Sequence, residues 1–69
     1  MDQDIEKLKF LLEHWAQHSE EHRGKITEWI VKAKSMGEDG AAGDMASAVE
    51  ALNESIKYLK KAQREIENE

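Results

Sequence analysis

An alternation of three- and four-residue steps runs through the first half of this chain: Ile5, Leu8, Leu12, Trp15, Ser19, His22, Ile26, Trp29, Ala33 and Met36. A heptad seam sustained over this length restricts the segment to a long helix laid against other helices. Eight of the ten positions are apolar or alanine. The two exceptions, Ser19 and His22, sit together in the middle, so any partner of this seam must accommodate one polar layer.

A chain of 69 residues makes one domain at most. A domain this small buries only about 60% of its unfolded surface, and disulfides, metal or association usually supply the missing stability. There is no cysteine, which removes the first of these and leaves the redox compartment undetermined. The 15 acidic residues outnumber the 10 basic ones, for a net charge of −5. That balance opposes nucleic acid and anionic membrane as partners, both of which require a positive footprint. No apolar run approaches the ~20 residues that span a bilayer, and the acidic start is unlike a signal peptide, so the expected location is cytoplasmic. Charged residues at 36% with no proline fit long helices, and two tryptophans with a sustained period argue against disorder.

The pattern predicts a first helix over about residues 4–36, starting near Asp2 or Asp4 as a cap and spanning roughly 50 Å. Gly24 falls on its outward side. The remaining glycines lie between Gly37 and Gly43 and mark the turn, 37–43, with a second helix over 44–66 capped by Asp44. That helix carries its own seam: Met45, Ala48, Leu52, Ser55, Leu59, Ala62 and Ile66. Val49 and Ile56 widen it on one flank, Ala51 and Tyr58 on the other, and a stripe this wide serves more than one neighbour.

The expected fold is therefore all-α: one domain over 1–69, a long antiparallel two-helix hairpin that dimerises into a four-helix bundle. In the favoured register Met36 meets Met45, Trp29 meets Leu52, His22 meets Leu59 and Trp15 meets Ile66. Ile5, Leu8 and Leu12 then overhang the end of the second helix, with Leu11 beside them. An uncovered apolar patch of this kind marks an interface. The expected interface residues are Ile5, Leu8, Leu11, Leu12, Trp15 and Trp29. A shorter turn centred near Gly37, with the second helix starting at Asp39, shifts the register by one heptad. It ranks second because it places Gly43 and Asp44 inside the helix.

The three histidines, His14, His18 and His22, follow an i, i+4, i+8 spacing, one helical turn apart. An i, i+4 pair can reach one metal ion, whereas His14 and His22 are ~12 Å apart along the helix. The seam places His22 inward with His18 beside it and His14 outward, so His18 with His22 is the candidate metal pair. Set against this, helical histidines among glutamates are commonly solvated or fix register, as a buried asparagine does in zippers. No third ligand follows from the sequence. Ser19 and His22 lack a placed carboxylate and an oxyanion-forming turn, so no nucleophilic centre is read from them.

The stretch Leu12-Glu13-His14-Trp15, His18 and Glu21-His22, with Glu28-Trp29 and then Gly37 ahead of an alanine-rich helix, resembles a small archaeal and bacterial helical-hairpin family. The resemblance implies the hairpin fold, no assigned activity and no site. The residues themselves favour a non-catalytic helical module whose work is self-association or binding a partner helix, with no cofactor. The rival reading is a protein binding a divalent transition metal (zinc, nickel or cobalt) through His18 and His22, shared across a dimer. A third is an accessory subunit whose chemistry lives on its partner.

Overall fold

The computed structural model describes residues 2–68 and consists of two helices, α1 (Asp2–Ser35) and α2 (Asp39–Glu67), folded back on each other. The result is a rod of 53 × 15 × 12 Å. α1 is already helical at Asp2, so Asp4 lies within its first turn; a capping role for the Asp2 side chain lies outside the described residues.

The shorter turn is the one adopted. α2 begins at Asp39, not at Asp44, and the expected turn over 37–43 contracts to Met36, Gly37 and Glu38. The reason lies in how α1 ends. Gly37 takes φ 82°, the left-handed conformation that glycine enters without steric cost. Its N–H then donates to the Lys34 carbonyl at 3.0 Å, and the Glu38 N–H donates to the Ala33 carbonyl at 2.9 Å. This paired closure satisfies the last carbonyls of α1 and reverses the chain in three residues. The Ala42 N–H already bonds back to the Glu38 carbonyl at 2.9 Å, which starts α2 at once. Gly40 and Gly43 are therefore helical. Each costs roughly 1 kcal/mol against alanine, offset by an extra turn of helix and by the burial of Ala42 against α1.

The hairpin core also departs from the expected seam, by one residue on each helix. On α1 the positions withdrawn from solvent at three–four spacing are Lys9, Leu12, Ala16, Ser19, Arg23, Ile26, Ile30 and Ala33. On α2 they are Ala42, Met45, Val49, Leu52, Ile56, Leu59, Gln63 and Ile66. Run in opposite directions the two sets coincide, with Ala33 level with Ala42, Arg23 with Leu52 and Lys9 with Ile66. One cross-helix contact fits this register closely, Arg23 Nη1 donating to Asn53 Oδ1 at 2.8 Å, and in a second the long Lys60 side chain reaches along the rod to bring its Nζ to Glu20 Oε1 at 2.7 Å.

Leu12, Ser19, Ile26 and Ala33 belong to both the expected and the observed seams, but Trp15, His22 and Trp29 give way to Ala16, Arg23 and Ile30. Size explains the choice. Among the described residues, Ala16, Ala33 and Ala42 are three of the five buried apolar ones, and small side chains let two helices approach closely. A tryptophan at the same positions holds them apart. The expected pairings of Trp15 with Ile66, Trp29 with Leu52 and His22 with Leu59 are thus not formed. Nor does Leu12 overhang the hairpin: it is buried, while Ile5 and Leu8 remain 42% exposed at the open end.

Candidate functional site: an uncovered apolar face

The residues excluded from the hairpin core are not scattered. Leu8, Trp15, His22 and Trp29 repeat every seven residues on α1, each one position before a core-facing residue, and Met36 continues the spacing into the turn. Ala48, Ser55 and Ala62 bear the same relation to Val49, Ile56 and Gln63 on α2. An α-helix turns by about 100° per residue, so both sets are rotated from the hairpin seam in the same sense, seen along their own chain direction. Since the two helices run in opposite directions, equal rotations bring both sets to the same broad face of the hairpin. The opposite rotation carries Glu20, Asn53 and Lys60 to the other face, where the two cross-helix polar contacts form.

One face is therefore a ridge and a furrow. The ridge is α1 with the turn that follows it: Leu8 is 42% exposed, Trp15 45% and Trp29 51%, and Met36 in the turn 63%. The furrow is α2, where Ala48, Ser55 and Ala62 are small and Met45, Leu52, Leu59 and Ile66 line the valley half-buried. Lys32 lies over the Trp29 ring, its Nζ 4.3 Å from the centroid, which covers part of one indole. Of the expected interface residues, Ile5, Leu8, Trp15 and Trp29 lie on or at the end of this face, Leu11 is half-buried at its margin, and Leu12 belongs to the hairpin core.

The histidines form a column that climbs from the outer side of α1, at His14, onto this face at His22. Phe10 stacks on His14 at 5.9 Å between ring centroids, and His14 stacks on His18 at 6.0 Å. His18 and His22 then meet edge to face at 4.5 Å, with their Nε2 atoms 2.9 Å apart, one donating to the other. The sequence placed His22 inside the hairpin; all three imidazoles are exposed. His18 and His22 are the closer pair, with their ring nitrogens in contact, and His14 stands one turn further off, stacked on His18. Among the described residues, no three histidine, cysteine or acidic side chains come together as a metal-ligand set.

On the polar face, Lys60 bonded to Glu20 holds that carboxyl below the usual carboxylate range, with Arg23 adding to the effect. Sequence reasoning missed Arg23 as a hairpin-core position and Asn53 as its acceptor. The signal was present in the second three–four run, 9-12-16-19-23-26-30-33, which is less apolar than the first and so loses on hydrophobicity alone.

Residues 8–66 match a domain of unknown function, DUF8180. The chain belongs to the DUF8180 family. It is 38% identical over 58 residues to an uncharacterized protein of Archaeoglobus fulgidus, an alignment covering 84% of this chain and 92% of that protein. No solved structure is significantly similar to it. Membership agrees with the resemblance to a small helical-hairpin family and carries no activity with it. Among the described residues, no helix is long and apolar enough to cross a membrane.

Proposed function

We propose that this DUF8180 chain is a non-catalytic helical module that works by association, and that its primary partner is a second copy of itself. The ridge of Leu8, Trp15, Trp29 and Met36, every member at least 42% exposed at strict heptad spacing, carries this reading. Regular seven-residue spacing of large apolar groups is the pattern of a helix packed on another helix, and α2 does not cover it. Surface area supports the same view. A folded monomer of 7.9 kDa has about 4,400 Å² of accessible surface by the usual scaling. The hairpin has 5419 Å². The excess, about 1,000 Å², is of the size one partner buries in a standard interface, about 800 Å².

Tryptophan emission against dilution tests this reading. Burial of Trp15 and Trp29 in the dimer shifts the emission to the blue, and dilution through the dissociation constant returns it to the red. Emission unchanged over the full concentration range, at the wavelength of half-exposed indoles, overturns it.

One observation favours a second reading, a site for a divalent transition metal at His18 and His22. Two imidazole nitrogens 2.9 Å apart and metal–nitrogen bonds of about 2.1 Å give an angle near 90° at the ion, suited to adjacent positions of a square or octahedral site rather than a tetrahedral one. Ni²⁺ or Co²⁺ titration that His18→Ala abolishes and His14→Ala leaves intact supports this second reading; no binding by the unmodified chain rejects it.

A further inference from the structure

Resting on the self-association reading, we infer that two hairpins stack face to face about a two-fold axis parallel to the helices, so that α1 of each copy lies along α2 of the other and its tryptophan ridge fills the partner's furrow. Two arrangements cover the apolar face while keeping every helix antiparallel to its neighbours. In the first, just stated, the axis runs along the rod and α1 meets the partner's α2. In the second, the axis crosses the rod and α1 meets the partner's α1. The observed hairpin register makes them distinguishable, because it fixes which residues of α1 and α2 lie at the same height.

In the first arrangement, heights are shared between copies. Trp15 comes opposite the partner's Ala62, His22 opposite the partner's Ser55 and Trp29 opposite the partner's Ala48. The height differences between these pairs are on the order of 3 Å, the offset of a knob entering a hole. Each large residue thus meets a small one, and the one polar ridge residue meets the one polar furrow residue, which gives the imidazole a hydroxyl partner as burial requires. The central channel closes on Ile26, Leu52, Leu59 and Ile66, all only partly covered in a single hairpin.

The margins agree. His18 comes level with the partner's Tyr58, a ring 56% exposed in the lone hairpin, and Lys32 comes level with the partner's Asp44. In the second arrangement the ridges collide with one another while the furrows face across a gap. Its margins set Asp44 beside the partner's Glu65, and like charges at such positions disfavour the pairing.

Because the chain has no cysteine, single cysteines report the arrangement directly. Lys32→Cys and Asp44→Cys proteins, mixed and oxidised, form a disulfide-linked heterodimer far in excess of either homodimer if the inference holds. A nitroxide at Lys34→Cys then gives a distance set by the bundle width alone. Failure to form the mixed disulfide, with a Lys34 distance of roughly 40 Å or more along the rod, overturns the inference in favour of the crossed axis while leaving self-association standing. No dipolar coupling and a monomeric mass overturn both.

Discussion

The two broad faces of this hairpin are built from the same two helices and have opposite characters. One is closed within the chain: Lys60 reaches Glu20 and Arg23 reaches Asn53, so its polar groups find partners across the helix pair. The other presents two indoles, a methionine and a leucine to solvent, with a row of small residues beside them. The first face needs nothing further. The second leaves large apolar groups uncovered within the chain, and it is the side that the proposed self-association uses.

The largest expected effect breaks the apolar face alone. Trp15→Ser with Trp29→Ser removes two aromatic anchors, each worth at least about 2 kcal/mol in an interface of this kind. Dimerisation then weakens several hundred-fold or more, while far-ultraviolet circular dichroism of the hairpin stays helical, since neither indole belongs to its core. Loss of helicity in parallel with mass shows instead that the indoles support the hairpin itself.

The next effect concerns the polar member of the ridge. His22→Leu makes the ridge continuously apolar and raises dimer stability by about 1 kcal/mol, because exchanging an imperfectly satisfied polar group for an apolar one gains on burial. Ser55 is not orphaned by the change, since a helical serine can bond the carbonyl one turn back. A thermal melt read at constant concentration checks this, and a lower melting temperature contradicts it.

Neither face should respond to the helical glycines. A Cβ added at Gly40 or Gly43 meets nothing within 4 Å, so Gly40→Ala and Gly43→Ala each stabilise the hairpin by roughly 0.5–1 kcal/mol. Chemical denaturation reads the gain, and sedimentation shows the association constant unchanged. Gly37 is the contrast: at φ 82° any side chain is strained, and Gly37→Ala destabilises.

The smallest effect belongs to the polar face. Glu20 is held below its ordinary value by Lys60, so its contribution is complete above the ordinary glutamate range and disappears as pH falls through the lowered value. An exposed pair of this sort contributes little. Glu20→Gln therefore flattens the acid limb of the stability profile below about pH 4.5 only slightly, and leaves it unchanged at neutral pH apart from the lost ion pair.

Much of this was legible in the residues. The length of α1, the stop at Gly37, the hairpin and the pairing of His18 with His22 all follow from local chemistry and helical spacing. The side of the seam did not follow. Leu12, Ser19, Ile26 and Ala33 fit two overlapping heptad patterns, and the more apolar pattern, through Trp15 and Trp29, looks like the hairpin core. The chain instead packs Ala16, Ala33 and Ala42 at the close contact, because distance between helix axes is set by side-chain size and not by hydrophobicity. The start of α2 escaped for a related reason: Gly43 and Asp44 look like a break, yet both are exposed on the helix surface, where a glycine costs little enough to be overruled.

Sedimentation equilibrium of the unmodified chain, from low micromolar to millimolar concentration, tests most directly the claim that the apolar face exists to be covered by a second copy. The expected mass rises to about twice 7.9 kDa and holds there. A stable 7.9 kDa species at the highest concentration, with helicity intact, contradicts it.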